Sequence, residues 1–261
     1  MAFPLNKIPE QVNLASKLIT EADYCVALSG AGISTKSGIP DFRSSQSGLW
    51  TKYSPMEVAS LSSFRYDPNR FYDWLSPFVK KVFQADPNPA HLVLAKLEEE
   101  DLLKCVVTQN IDALHQKAGS KNVIELHGTY LTLTCLGCYQ QISADNDLLN
   151  WILEHAKAPA CSHCGGVLKP DIILYEEQLP RDKWNLAKNE INQCDLLLIL
   201  GSSLTVTPAC DLPYLVLKKG GNVVIINQSH THLDDIVSVS IQGDLAEILP
   251  KIQNKVLNEL V

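Results

Sequence analysis

Six short apolar runs constrain this chain most: residues 24–28, 103–108, 123–126, 172–175, 196–200 and 223–226. Most are rich in Val, Ile and Leu and lack the alternation of a strand with one wet face. Strands covered on both faces read this way, and helices supply that cover in a parallel sheet. Helical periodicity stands between several of the runs. Residues 9–20 carry Val12, Ala15 and Ile19 on one face. Residues 90–100, 181–193 and 209–219 read as further helices, the last closing on Gly220 and Gly221. A final helical pattern over residues 244–260 contains Pro250, which is expected to bend or break it. The alternation predicts an α/β protein with a parallel sheet. Two regions interrupt it. Residues 55–83 are helical and aromatic (Phe64, Tyr66, Phe71, Tyr72, Trp74, Phe78, Phe83) with no strand, as in an insert that packs its rings into a core. Residues 130–169 hold two cysteine pairs.

With 261 residues, 46% hydrophobic and 20% charged, the chain has material for a sizeable core, which excludes disorder. A net charge of -7 argues against nucleic acid as the main partner and suits basic partners such as lysine-bearing segments. The first ten residues lack a basic start followed by an apolar core, and no run reaches the length of a membrane span. A soluble, cytoplasmic protein with no membrane partner is expected; a monomer is compatible with the sequence.

Of eight cysteines, Cys25, Cys105, Cys194 and Cys210 stand alone and read as small buried hydrophobes. Cys135 and Cys138, and Cys161 and Cys164, form Cys-x-x-Cys pairs, each with a glycine inside or beside it. Two such knuckles make a four-thiolate site that zinc fills well. Residues 145–155 read as a helix within the interval between them. Disulfides are disfavoured without a signal peptide, and redox chemistry needs only one such pair. Four protein ligands leave no place for water, so the zinc is expected to be structural. His163 is a spacer. A zinc ribbon could also serve a nucleic-acid or protein-binding module, so it says little about reaction.

The stretch from Ala27 to Arg43 opens like a dinucleotide-binding turn, with Gly30-Ala-Gly32 after an apolar run. The third glycine is missing, and Pro40 soon stops any helix before Asp41-Phe-Arg43. Further polar clusters are Thr108-Gln-Asn-Ile-Asp112, His127-Gly128, Gly201-Ser-Ser203, Asn227 and Gly243-Asp244. Several follow the expected strands directly, and strand ends are where ligands bind in open α/β sheets. Taken in this order, the set resembles the sirtuins, the NAD-dependent protein-lysine deacylases, in their prokaryotic form, from about residue 15 to residue 250.

The resemblance implies a Rossmann-type NAD domain with a small zinc-ribbon domain and a helical insert. The corresponding division is residues 1–53, 91–129 and 171–261 for the large domain, 54–90 for the insert and 130–170 for the ribbon. It implies NAD as co-substrate, one structural Zn2+ per chain, and acyl-lysine proteins or peptides as partners. Cofactor contacts fall on Gly30, Ala31, Gly32, Thr35, Asp41, Phe42, Arg43, Gln109, Asn110, Ile111, Asp112, His127, Gly201, Ser202, Ser203, Asn227 and Asp244. The loop through Ile39, Asp41, Phe42 and Arg43 would fold over the cofactor, with Phe42 shielding the ribose carbon. Asp112 would bond the carboxamide, Asn110 would orient the ribose and a water, and His127 would be the general base, a role suited to an imidazole that titrates near neutral pH. In the implied reaction the acyl-amide oxygen attacks the ribose as nicotinamide leaves, and water then frees lysine and acyl-ADP-ribose. His91 and His115 are read as helix-start and packing residues.

Substrate contacts fall on Tyr72, Leu75, Tyr175, Glu176, Glu177 and Val206, the peptide pairing between residues 172–175 and 204–206. Two departures from the family pattern stand there. Tyr175 replaces phenylalanine, and Glu176 replaces glycine, adding negative charge beside the peptide. Sirtuins that take acidic acyl groups carry Tyr-x-x-Arg in the insert; here Tyr72 is present and Leu75 takes the arginine's place, so uncharged acyl groups are expected. Rival readings are an NAD-dependent protein ADP-ribosyltransferase and a non-catalytic zinc-ribbon module.

Overall fold

Every residue of Cys25–Ser29 (β1) is buried, as a Val/Leu run without alternation requires. The computed structural model of the protein describes residues 8–41 and 51–259. Around β1 the chain order begins with α1 (Ile8–Glu21) and continues, after a 3-10 helix at Ala31–Ser37, through α2 (Pro55–Val58), α3 (Leu61–Tyr66) and α4 (Pro68–Gln84). Next come α5 (Pro89–Glu99), β2 (Cys105–Thr108), α6 (Leu114–Lys117) and β3 (Val123–Glu125). A second group comprises β4 (Gly128–Cys135), β5 (Gln141–Ser143), α7 (Asn146–His155) and β6 (Leu168–Ile172). The chain returns through α8 (Arg181–Gln193), β7 (Leu196–Leu200), α9 (Leu212–Lys218), β8 (Asn222–Asn227), β9 (Val239–Gln242) and α10 (Leu245–Glu259).

One six-stranded sheet runs in the order β3-β2-β1-β7-β8-β9, and every pairing in it is parallel. Ala27 sits between Val106 and Leu198, which fixes the register at the centre. Alternate residues serve opposite faces. Ala27, Leu198 and Val224 pack under α1, α5 and α10, whereas Val26, Leu197 and Ile225 pack under α8 and α9. Each fully buried Val, Leu or Ile contributes about 1.5–3 kcal/mol, so a strand apolar on both faces must be covered twice. The strand order reverses between β1 and β7, and a crevice at such a switch point is where α/β sheets bind ligands.

The expected strand at 172–175 lies elsewhere. The ladder covers Leu168–Ile172, at the edge of a separate antiparallel sheet ordered β5-β4-β6. Lys169, Pro170 and Asp171 disguised it. An edge strand tolerates proline, Lys169 pairs with Glu177, and the Thr132 and Thr134 hydroxyls donate to Asp171. The ladder of the small sheet reaches from Gly128 to Ile172. β9 was not foreseen, because only Val239 and Ile241 of this edge strand are buried. Nor does Pro250 break α10, which runs on while Ile248, Leu249, Ile252 and Val256 hold it to the core. Residues 209–219 divide into a 3-10 turn at Ala209–Asp211 and α9, with Pro213 in the first turn of α9.

The aromatic insert and the cysteine-bearing segment share one core. Phe64, Phe71, Tyr72, Leu75 and Phe78 pack with Leu133, Leu149, Ile152, Leu168 and Ile172. Phe71 makes edge contacts with Phe64 at 5.0 Å and Tyr72 at 5.5 Å. Tyr66, at 93% exposed, and Phe83, at 39%, are the exceptions. Among the described residues, no helix is long and apolar enough to cross a membrane.

Candidate active site

The two glycine turns at the switch point touch each other. The Gly30 amide donates to the Leu200 carbonyl at 3.0 Å, and the Gly32 amide to the Gly201 carbonyl at 2.9 Å. A Cβ on Gly30 would meet the Gly201 oxygen at 2.9 Å, and one on Gly32 would meet it at 2.8 Å. These glycines therefore let the β1 and β7 turns close on each other. After them the chain winds into the short 3-10 helix Ala31–Ser37, which ends on Gly38 before Pro40, as the expected stop requires.

Between the turns and the small sheet lies a cavity of about 990 Å³. Residues 30–32, 35, 41, 109–112, 127, 201–203 and 227 line it, together with Leu75, Tyr175, Glu176, Glu177 and Val206. Asp244 does not; it caps α10 through the Ala246 amide at 2.9 Å and pairs with Lys36 at 2.8 Å. Tyr72 does not line it either. That ring is 1% exposed, and its hydroxyl donates to the Leu168 carbonyl at 2.8 Å, so it ties the insert to β6. Phe42 and Arg43 lie outside the described residues.

A buried polar network fixes the floor. Ser34 donates to Asp112 at 2.6 Å, and the Leu114 amide donates to the other carboxylate oxygen at 3.0 Å. Asn110 donates to the Gly30 carbonyl and to Ser34, both at 3.2 Å. Gln109 donates to Ser202 at 2.9 Å, which links the ends of β2 and β7. Burial raises the Asp112 carboxyl, and the Ser34 hydroxyl and Leu114 amide oppose that rise. Ser34, two residues beyond the Gly30-Ala-Gly32 turn, is no expected site residue, yet its hydroxyl is the junction of Asn110 and Asp112.

Beneath this floor lie His91 and His115, with ring centroids 5.0 Å apart. His91 closes a capping box with Asn88 at the start of α5, and His115 bonds Ser29 at 2.8 Å. Burial lowers His91 from 6.5 to about 4 and His115 to about 3, where the nearby His91 also contributes. Both rings are therefore neutral in the fold, and the unfolded chain takes up protons first as pH falls. Their stability contribution is complete above 6.5 and is lost from there down toward about 4 and about 3. Each ring should add a slope of about 1.4 kcal/mol per pH unit. Urea midpoints at about pH 7 and about pH 5 check this; His91→Asn should flatten the slope, and an equal slope would mean that ring is not neutral.

His127 stands at the wall opposite the floor. Its Nδ1 lies 2.9 Å from the Gln109 carbonyl, which can only accept, so Nδ1 carries the hydrogen. The basic nitrogen of the neutral ring is then Nε2. Its backbone carbonyl accepts from the Ile173 amide at 2.8 Å, joining the histidine to the segment expected to receive a peptide.

Away from the cavity, the Sγ atoms of Cys135, Cys138, Cys161 and Cys164 all lie within 4.8 Å of one another. The Cys135–Cys164 and Cys138–Cys161 separations are 3.4 and 3.8 Å. Sulfurs placed tetrahedrally at ~2.3 Å from zinc would stand ~3.8 Å apart, so the four thiolates can hold that ion. Amides of Gly137 and Gly166 donate to Cys135 and Cys164, and a Cβ on Gly166 would come 2.9 Å from the Cys135 sulfur. The Cys138 and Gly137 amides draw the Cys135 thiol down, while burial and the neighbouring thiols push Cys138 up. His163 is exposed and outside the cluster. Cys25, Cys105 and Cys194 are buried singly in the sheet core, and Cys210 is half-buried.

Comparison with known proteins agrees with this geometry. The Sir2 family model matches residues 30–208. The chain is 40% identical to NAD-dependent protein deacylase 2 of Archaeoglobus fulgidus over 95% of this chain and 96% of that protein. It is 43% identical to an NAD-dependent protein deacetylase of Saccharolobus solfataricus, over 95% and 98%. A solved Sir2 histidine variant with a deacetylated peptide and 3'-O-acetyl ADP-ribose superposes with a TM-score of 0.88 at 38% identity, covering 94% of this chain and 98% of that one. With the family model spanning both glycine turns, the Gln109–Asp112 floor, His127 and all four thiolates, this chain belongs to the Sir2 family, the sirtuins.

Proposed function

We propose that the protein removes acyl groups from lysine side chains, consuming NAD and releasing nicotinamide, acyl-ADP-ribose and free lysine. The observation that carries this is one cavity in which the switch-point turns, the Gln109–Asp112 floor, His127 and the 173–177 edge all meet. The relatives' names, as NAD-dependent deacylases and deacetylases, support it. When bound, NAD supplies the ribose that accepts the acyl group.

The residues divide the remaining work. Asp112, held by Ser34 and the Leu114 amide, offers a carboxyl to the carboxamide. Asn110, oriented by Gly30 and Ser34, faces the reacting sugar. Nε2 of His127 takes up a proton, and its Nδ1–H contact with Gln109 supports the resulting cation. Ile173, Leu174, Tyr175, Thr205 and Val206 line the cavity and would flank an extended peptide. The thiolate cluster, which lies outside the cavity, is structural. Four cysteines that stand singly, with the other four gathered to hold a metal, support a cytoplasmic setting.

Incubation with NAD and an acetyl-lysine peptide, with products identified by mass, tests the reading. Acetyl-ADP-ribose and deacetylated peptide are expected. ADP-ribosylated protein would replace the proposal with a transferase, and unchanged NAD would reject an enzyme.

Acyl choice follows from Leu75, which lines the cavity with Trp74 and Phe78. A carboxylate entering among these side chains loses hydration that Trp74, Leu75 and Phe78 cannot return. Acetyl-lysine should be cleaved roughly 100-fold more efficiently than succinyl-lysine, equivalent to about 3 kcal/mol, and Leu75→Arg should narrow the gap. Efficient desuccinylation by the wild type would point instead to Arg181, a cation that also lines the cavity.

A further inference from the structure

The turn at residues 174–177 carries two adjacent carboxylates that reach to different parts of the molecule. Glu177 accepts from Lys169 of β6 at 2.9 Å and from the Leu174 amide at 2.8 Å. Glu176 reaches the aromatic insert, where its two oxygens accept from the Ser62 amide at 2.9 Å and the Ser62 hydroxyl at 3.0 Å. Backbone follows the same path. The Tyr175 amide donates to the Ala59 carbonyl at 2.9 Å, the Leu61 amide donates to the Tyr175 carbonyl at 3.0 Å, and Tyr175 bridges to Ser60 in parallel.

Glu176 holds a φ of 74°, in the left-handed region that a residue with a Cβ enters at a cost. Glycine would adopt that angle freely but has no carboxylate to reach Ser62. Keeping glutamate there makes sense if its contact with Ser62 matters more than the relief of strain. Ala59, Leu174, Tyr175, Glu176 and Glu177 all line the cavity, so the contact sits in the wall that faces substrate.

We propose that Glu176 is a positioning residue: by gripping Ser62 it locks the helical insert to the 173–175 edge and holds that edge ready for an acyl-lysine peptide. The proposal rests on the deacylase reading. It adds to the expectation that Glu176 presents negative charge to the peptide: both of its oxygens are engaged by Ser62, whose neutral donors leave that charge in place. A loosened edge must be ordered again at each binding event, which weakens peptide binding and leaves the NAD floor alone.

Glu176→Gly, Glu176→Ala and Glu176→Gln of the full chain separate the contributions. Glu176→Gly should raise the KM for an acetyl-lysine peptide about five- to tenfold, with KM for NAD unchanged and kcat within about twofold. Glu176→Ala should match that KM but melt below Glu176→Gly, since it keeps the strained angle without the contact. Glu176→Gln, whose amide oxygen still accepts from Ser62, should recover most of the affinity. Hydrogen exchange at the Ser62 amide, read without substrate, should quicken in the glycine and alanine variants. Unchanged exchange at Ser62, or quickened exchange with a wild-type peptide KM, would overturn the proposal, as would an equal rise in KM for NAD. A wild type that cleaves no acyl peptide would sink the deacylase reading instead, and the exchange rate at Ser62 tells the two failures apart.

Discussion

Replacing His127 with alanine is expected to slow deacylation by about 100- to 10,000-fold, the range for a positioned general base, while NAD still binds. The ring is held by its own backbone and by the Gln109 carbonyl. Nδ1–H points to the Gln109 carbonyl, and the His127 carbonyl accepts from Ile173. Alanine keeps the second contact, so the peptide edge should stay where it is and the loss should fall on kcat. Gln109, Asn110 and Asp112 keep partners of their own on Ser202, Gly30 and Ser34, which is why the NAD floor should survive. Turnover at saturating NAD and peptide, with NAD affinity measured by calorimetry, checks both halves. Near wild-type turnover would remove His127 from the base role; lost NAD affinity would make it a binding residue.

Much of this site was legible because its chemistry sits just after apolar runs. Gly30, Gln109, His127, Gly201 and Asn227 each follow a strand or its last turn, so reading the strands placed the ligand groups at one end of the sheet. The cysteine pairs were legible for a different reason: two knuckles at that spacing have few other uses. What stayed hidden depended on side-chain direction. Tyr72 carries a polar tip, but its rotamer takes that tip to the Leu168 carbonyl and away from the cavity. Ser34 and Thr35 are neighbours of similar chemistry; only the 3-10 winding turns Ser34 toward Asp112 and gives Thr35 to the Gly32 carbonyl. β6 was hidden because Lys169 and Asp171 look like loop residues until Glu177, Thr132 and Thr134 are seen to satisfy them. Polar groups buried with partners carry no hydrophobic period, so pattern reading passes over them.

Loss of zinc should unfold the small unit, and with it the peptide edge, while the six-stranded sheet persists. Cys135 and Cys161 are buried in the same core as Phe64, Phe71, Leu149 and Leu168, so the ion would anchor the base of that core. Such sites fold with their metal, at apparent binding energies of about 10–16 kcal/mol. Replacing Cys161 with serine leaves three thiolates and exposes the knuckle that the Gly166 carbonyl closes onto the Cys161 amide at 2.7 Å. β4 and β6 then lose their anchor, and the Lys169–Glu177 pair that shapes the 174–177 turn goes with them. The large sheet is packed by separate clusters under α1, α5 and α10 and under α8 and α9, none of which includes a thiolate ligand. One zinc per chain is therefore expected, and its removal should abolish deacylation through peptide binding. Hydrogen exchange should quicken across β4 and β6 and stay slow across β1 and β7. Metal analysis, exchange and activity on the chelated protein decide this together. A metal-free chain with unchanged melting temperature and full activity would show that the four thiolates close their core without an ion.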